Sequence, residues 1–115
     1  MIEGGCLCGK IRYEFKKEDV ISAGNCHCID CQKATGSGKA TIVYVPTNSL
    51  KINDDYKVFS VIGSEGSNVH RGFCPECGSP IISFVSEQPD VKFIKAGSLD
   101  DSSWIKIESN IHIII

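Results

Sequence analysis

The sequence has no excess of basic residues and no long apolar run. Its 12 lysines and arginines are outnumbered by 14 aspartates and glutamates and are scattered along the chain. This distribution argues against a nucleic-acid partner held through phosphate contacts. No stretch approaches the ~18 apolar residues of a spanning helix, so we expect no membrane partner. The first residues, MIEGG, carry neither a basic leader nor an apolar segment, and we therefore expect a cytoplasmic protein.

The sequence also lacks the residue patterns of common hydrolases, because no paired carboxylates and no Ser/His/Asp constellation stand out. Cysteine, in contrast, is abundant, with seven residues in a chain of 115. In a reducing compartment such cysteines are more often metal ligands or catalytic thiols than disulfide partners. The odd count further argues against a complete disulfide framework.

Short apolar runs, rich in β-branched and aromatic residues, are separated by glycine and proline. Several runs alternate with period two, which predicts a single, mainly β domain over residues 1–115. The predicted strands cover residues 10–15, 39–45, 56–62, 80–85, 91–96 and 104–115. Only CIDCQKATG is predicted to form a helical turn, with Gly36 as its stop. An unpaired IHIII would favour aggregation, so we expect that this strand is paired or that the natural protein continues past Ile115.

The cysteines fall into three groups along the chain, CLC, CHCIDC and CPEC. CPECG has the pattern of a zinc knuckle, in which a tight turn directs two sulfurs at one metal, and it needs two further ligands. In CLC, alternate backbone positions place both sulfurs on one side, so this pair is a suitable complement. Three cysteines then remain, and a zinc site with three protein ligands keeps one coordination position free.

A zinc ribbon is the alternative arrangement. Cys28 and Cys31 form a second CxxC, which would pair with Cys74 and Cys77 and leave the other three cysteines over. Residues 32–73 separate the two pairs, a gap of 42 residues. Common ribbons have a gap of about 15–20 residues. The spacing disfavours the ribbon but does not exclude it.

Three segments, GGCLCGKIRYE, CHCIDCQKATGS and RGFCPECGSPI, resemble in this order the motifs of the glutathione-dependent formaldehyde-activating enzyme (GFA) family, which also includes centromere protein V. AGSLDD and NIHI resemble the family's downstream blocks, so the resemblance covers nearly the whole chain. It implies the β-rich beta-tent fold, with small zinc-stapled antiparallel sheets. It implies a closed structural zinc site formed by Cys6, Cys8, Cys74 and Cys77. It also implies an open, catalytic second zinc site formed by Cys26, Cys28 and Cys31.

The resemblance implies a zinc-dependent carbon–sulfur lyase that acts on glutathione adducts. The family's assigned reaction joins glutathione and formaldehyde to S-(hydroxymethyl)glutathione, or cleaves that carbon–sulfur bond. Three thiolates around zinc leave a position where an incoming thiol can bind and lose its proton. Zinc can also polarise the aldehyde oxygen. The alternatives are a non-catalytic zinc-binding module for protein interaction, which the centromere member favours, and a thiol redox or metal-buffer protein.

Four residues near the motifs are candidates for contacts with glutathione. Lys33 and Arg71 lie beside the metal motifs, where a cation could hold a glutathione carboxylate. The alternative is that both are ordinary solvated charges, which is the usual state of lysine and arginine. Gly36 and Ser37, in TGSG, could offer backbone amides to an anionic ligand, although such a segment is usually only a turn.

The three histidines are predicted not to be metal ligands. In an extended CHC segment the side chain of His27 points opposite to the neighbouring sulfurs. His112 belongs to the predicted last strand. His70 has no metal-spaced neighbour and is expected to be solvated.

Overall fold

The computed structural model describes residues 1–112, which form two β-sheets, one α-helix and three short 3-10 helices. The strands are β1 (Ile2–Gly5), β2 (Arg12–Phe15), β3 (Ser22–Cys26), β4 (Ala40–Pro46), β5 (Lys51–Ile52), β6 (Lys57–Ile62), β7 (Asn68–Phe73), β8 (Pro80–Val85), β9 (Val91–Lys95) and β10 (Ser109–Ile111). The α-helix, α1, is Ile29–Thr35, and the 3-10 helices are Lys17–Asp19, Thr47–Ser49 and Ala96–Ser98. The prediction of a mainly β chain is confirmed. No helix in this part of the chain is long and apolar enough to cross a membrane.

The strands pair in a small and a large sheet. The small sheet has the order β1-β2-β5, and the large one has the order β10-β3-β4-β9-β8-β7-β6. The pairs are antiparallel except for β10 and β3, which run parallel. The expectation of purely antiparallel sheets is therefore wrong at one edge of the large sheet, where β10 runs parallel to β3. Residues 96–108 provide the long connection that a parallel strand needs.

Five of the six predicted strands are present with shifts of a few residues at their ends. Of the sixth, predicted over residues 104–115, only β10 (Ser109–Ile111) is strand among the described residues. Residues 104–108 are not strand, because the chain turns there: the Ile105 N–H bonds the Ser102 carbonyl at 3.2 Å. The tip of the predicted strand, residues 113–115, lies outside the described residues. Four strands were not predicted: β1, β3, β5 and β7. Their short, polar or glycine-containing sequences give little local strand signal, and they form because they pair with neighbouring strands.

Helix α1 forms where the sequence predicted a helical turn. Cys28 is its N-cap, and the Cys28 sulfur accepts the Cys31 N–H at 3.3 Å. Gly36 follows the helix with φ of 68°, and its N–H donates to the Gln32 carbonyl at 2.8 Å. This left-handed conformation favours glycine, which confirms Gly36 as the helix stop.

The large sheet separates two clusters of buried side chains. Val43 and Val45 of β4 pack with Ile11 and Phe15 in the cluster next to the small sheet. Ile42, which points to the opposite face of β4, packs in the second cluster. Both clusters contain cysteines, with Cys6 and Cys74 in the first and Cys26, Cys28 and Cys31 in the second.

Gly4 of β1 lies against the chain that follows β9, and the first prediction concerns this close packing. A Cβ on Gly4 would meet the Tyr13 hydroxyl and would lie 2.5 Å from the Ser98 carbonyl oxygen. We expect Gly4→Ala to lower the free energy of unfolding by about 1–3 kcal/mol, as overpacking does. Urea denaturation measures this change. Gly38→Ala is the control, because nothing lies within 4 Å of a Cβ there, and equal losses in both variants would contradict the close packing.

Candidate metal centres

The first cysteine cluster joins the loop after β1 to the loop after β7. The sulfurs of its members, Cys6, Cys8, Cys74 and Cys77, all lie within 4.8 Å of one another. The Cys8 sulfur is 3.6 Å from that of Cys6 and 3.7 Å from that of Cys74. A tetrahedral site with zinc–sulfur bonds of about 2.3 Å needs about 3.8 Å between sulfurs. The donor set and its spacing therefore fit a structural zinc ion.

Each of the two loops of this cluster is closed by a backbone hydrogen bond of its own. The Cys6 N–H donates to the Ile11 carbonyl at 3.1 Å, and the Cys74 N–H donates to the Ser79 carbonyl at 3.0 Å. The Ser79 hydroxyl also links the loops, because it accepts a backbone N–H of the CLC loop at 3.1 Å and lies 3.2 Å from the Cys77 sulfur. Hydrogen bonds from Ser79 lower the pKa of the Cys77 thiol to about 5, which favours the thiolate that metal binding needs.

The second cluster lies where β3 ends and α1 begins. Cys26 is the last residue of β3, Cys28 caps α1, and Cys31 is in the first turn. Their sulfurs lie within 4.8 Å of one another, with 3.3 Å between Cys26 and Cys28. All three side chains are buried. Three convergent soft donors fit a zinc ion with three protein ligands.

The structure thus groups the sulfurs as four and three. Among residues 1–112 it does not bring Cys28 and Cys31 to Cys74 and Cys77, as a zinc ribbon would require. Each group supplies convergent sulfur donors of the kind that a zinc ion binds.

Two cations lie beside the second cluster. Nη2 of Arg71, in β7, is 3.8 Å from the Cys31 sulfur. Lys95, in β9, is buried and donates to the Ser83 hydroxyl at 2.9 Å. With Cys26 and Cys31, these residues line a cavity of about 10 Å³, which is room for about one water molecule. The two cations therefore border the small open space next to the sulfurs.

Lys95 is a site residue that the sequence analysis missed, whereas Arg71 was considered for its position beside CPEC. A signal was present in VKFIKA, since alternation places Lys95 on the same face of β9 as Phe93, which is buried. A lysine is rarely buried without a partner. That partner could not be identified from the sequence, because Ser83 and Cys31 are distant along the chain.

The thiols and the cations perturb one another's pKa values. Burial raises the pKa of Cys26 to about 12. Burial also acts on Cys31, but the hydrogen bond from Cys26 and the charge of Lys95 outweigh it and lower the Cys31 pKa. Burial lowers the pKa of Lys95 to about 8, against the opposing effect of Cys31. Within the cluster, Cys31 is thus the sulfur whose negative charge the cations favour.

Three clefts adjoin these cations. The largest, of about 460 Å³, lies between the two cysteine clusters and has Lys95 in its wall. A second, of about 180 Å³, is lined mostly by apolar residues and is bordered by both Arg71 and Lys95. The third, of about 310 Å³, contains Lys33 and Arg71. Arg71 and Lys95 therefore lie where the clefts approach the cysteines.

The largest cleft is not lined by any of the three cysteines of the second cluster. Two of its wall residues nevertheless touch that cluster. Ala40 pairs with Cys26 across the sheet, and the Thr35 hydroxyl donates to the Cys31 carbonyl at 2.8 Å. Lys95 lines both this cleft and the small cavity next to the sulfurs.

The structure does not bring the four predicted glutathione contacts together. Lys33 and Arg71 share the 310 Å³ cleft, whereas Ser37 lines the 460 Å³ cleft. Gly36 ends the helix between them. Lys33 and Ser37 therefore border different clefts around α1.

The histidines lie outside the two clusters. The His27 ring bonds the Asn110 side chain at 2.8 Å and stacks on His112 at 4.7 Å, so it points away from the sulfurs, as predicted. The expectation of a solvated His70 is wrong. This half-buried ring lies between the hydroxyls of Ser60, in β6, and Ser86, directly after β8, each 2.7 Å from one ring nitrogen.

The family model described as glutathione-dependent formaldehyde-activating enzyme matches residues 1–114. The chain belongs to the GFA family. A protein of Halomonas elongata, named provisionally as a glutathione-dependent formaldehyde-activating enzyme, is 22% identical over 137 residues, covering 95% of this chain and 82% of the relative. The resemblance seen in the sequence motifs is confirmed.

A crystal structure of a Rhodobacter sphaeroides protein shares the fold. Its TM-score is 0.69 at 16% identity, and the match covers 94% of this chain and 98% of the other. At this identity the similarity establishes the fold alone. The GFA-type fold expected from the motifs is confirmed.

The second prediction separates the two clusters of this GFA chain by their effects on stability. Cys6→Ser and Cys77→Ser each remove a ligand from the four-sulfur cluster, and metal-binding energy there is folding energy. We expect both to lower the Tm of zinc-loaded protein by more than about 10 °C. Cys28→Ser should lower it much less. Differential scanning calorimetry with and without EDTA measures these changes.

Zinc analysis of the same samples provides the control. The wild-type chain should hold one zinc ion per cluster, and Cys28→Ser should keep the ion of the four-sulfur cluster. A silent Cys6→Ser together with an unfolded Cys28→Ser would contradict this division of roles.

Proposed function

We propose that the chain is a carbon–sulfur lyase that joins glutathione and formaldehyde to S-(hydroxymethyl)glutathione and cleaves this adduct in reverse. In the forward direction the sulfur–carbon bond forms as the carbonyl π bond breaks, and the thiol proton ends on the new hydroxyl group. The observation that carries the proposal is the group of three buried sulfurs facing Arg71 and Lys95. Membership of the GFA family supports the choice of substrates.

Cys26, Cys28 and Cys31 would hold a zinc ion in this proposal. When bound, zinc supplies a coordination position at which a thiol loses its proton at neutral pH. Three thiolates and one zinc ion would carry a formal charge of -1. Such charge inside a protein needs nearby cations.

Arg71 and Lys95 provide this compensation. Both border the small cavity next to Cys26 and Cys31, so their charges act on an incoming sulfur where bulk water is excluded. Charge interactions are stronger in such a place than in water. These two residues would therefore hold the glutathione sulfur as a thiolate and orient it toward the aldehyde carbon.

The body of glutathione needs a larger space than this cavity. The 460 Å³ cleft is within the usual size range of small-molecule sites, and its wall carries the hydroxyls of Thr35, Ser37 and other residues for the peptide groups. Lys39 and Lys95 add positive charge for a carboxylate. Asp100, also in the wall, is paired with Arg12 at 2.6 Å, which limits its repulsion of an anion. We propose that the tripeptide binds in this cleft. A protein that uses glutathione would work in the cytoplasm, where glutathione is present.

The third prediction tests whether the glutathione sulfur is the binding group. S-methylglutathione keeps the charges of the tripeptide but has no proton to lose from sulfur. Zinc-loaded protein should therefore bind glutathione at least tenfold more tightly than S-methylglutathione. Glutathione binding should also release close to one proton at pH 7, because coordination requires the thiolate. Calorimetry in buffers of different ionisation enthalpy measures both quantities.

Cys28→Ala is the matched variant, which should lose this binding while the fold and the other zinc ion persist. Equal affinity for the two ligands without proton release would remove the basis of the lyase proposal. A stable, zinc-loaded protein that binds neither ligand would instead favour the non-catalytic interaction module.

The fourth prediction concerns Lys95. Lys95→Met keeps the length and apolar stem of the side chain but removes the charge beside the sulfurs. We expect glutathione affinity to fall on the order of tenfold, in line with the loss of one charged interaction. Lys92→Met in the same strand is the control, because the Lys92 amine lies 4.1 Å from the Phe84 ring centre instead. Equal affinities of the two variants, at equal Tm, would exclude this role for Lys95.

A further inference from the structure

The 180 Å³ cleft beside the second cluster has no role in the formaldehyde reaction. Its wall combines two cations with a largely apolar lining from α1, β6, β7 and β8. The residues that matter here are Ala34, Phe59, Phe73, Ile82, Arg71 and Lys95. Formaldehyde carries only hydrogen on its carbon, so its glutathione adduct offers no apolar group to fill this space.

The cleft and the small cavity next to the sulfurs share two cations in their walls. Arg71 and Lys95 line both this cleft and the small cavity that contains Cys26 and Cys31. The Arg71 guanidinium lies 3.8 Å from the Cys31 sulfur. A ligand sulfur in the small cavity would therefore have its bonded carbon near the cationic end of the apolar cleft.

The lining of this cleft determines which part of a ligand it suits. A carboxylate of glutathione would lose hydration among mostly apolar side chains, whereas the other two clefts offer hydroxyls or exposed lysines. Phe59 supports an apolar occupant, since 64% of its surface is exposed and it stands at the wall of the cleft. An alkyl group bound there would cover part of this exposed ring.

We infer that the cleft binds the alkyl substituent of larger aldehydes, so that the chain also forms and cleaves glutathione hemithioacetals of short aliphatic aldehydes such as butanal. This inference rests on the proposed lyase function. The chemistry balances as before: the sulfur–carbon bond forms, the carbonyl π bond opens, and the thiol proton ends on the hydroxyl oxygen. Each buried methylene strengthens binding by about 0.8 kcal/mol, or about fourfold.

The fifth prediction compares S-butylglutathione with S-methylglutathione, which differ only in alkyl length. S-butylglutathione should bind zinc-loaded protein at least tenfold more tightly, measured by competition calorimetry. Ala34→Leu should reduce this gain below threefold, because the larger side chain on the exposed face of α1 enters the cleft. Ala34→Ser, which adds only one oxygen, is the control and should retain the gain. Comparable Tm values establish that both variants fold.

Turnover gives a second measurement. The ratio of kcat/KM for the butanal adduct to that for the formaldehyde adduct should fall at least tenfold in Ala34→Leu and stay near the wild-type value in Ala34→Ser. An unchanged ratio in Ala34→Leu would overturn the inference.

The outcomes separate this inference from the lyase proposal on which it rests. Proton release with glutathione but no gain from the butyl group would leave the lyase proposal standing and overturn the alkyl cleft. A butyl gain that depends on Ala34, without proton release on glutathione binding, would support alkyl binding in the cleft but would overturn the lyase mechanism and, with it, turnover of larger aldehydes.

Discussion

The pairing register of the large sheet decides what surrounds the second cysteine cluster. Arg71 of β7 pairs with Ser83 of β8, and Ser83 pairs with Phe93 of β9. Lys95 follows two residues after Phe93 and therefore points to the same face. On that face β3 presents Cys26, so two cations and three sulfurs meet. A shift of one residue in any of these strands would turn its side chain to the other core.

The two cysteine clusters occupy different cores of the domain. The four-sulfur cluster connects the small sheet to the end of β7 within the first core, where metal ligation would stabilise the fold without leaving a free position. The three-sulfur cluster lies in the second core and retains a small cavity on the side of Arg71 and Lys95. The four-sulfur and three-sulfur clusters thus lie on opposite faces of one sheet.

Burying Lys95 is unfavourable in itself, as its lowered pKa shows, and the sulfurs offset part of this cost. The dependence is mutual, since Lys95 and Arg71 in turn favour a negative charge on Cys31. A site that combines anionic sulfur with fixed cations under limited hydration suits reactions in which a thiolate is formed or released. Lys95 also borders the 460 Å³ cleft, and both cations border the 180 Å³ cleft, so the sulfurs of the proposed site adjoin spaces that could hold a small molecule.

The sequence by itself determined the elements whose signals are local. Period-two alternation gave the mainly β class, Gly36 marked the end of α1, and the motif order identified the family. The tertiary structure decided the rest, because strand pairing joins residues far apart in the chain. It defined the glycine-containing strands β1 and β3, turned residues 104–108 away from the sheet, and separated the predicted contacts Lys33 and Ser37. It also brought Lys95 to Cys31, since only the register of β9 against its neighbours fixes which buried groups a lysine meets.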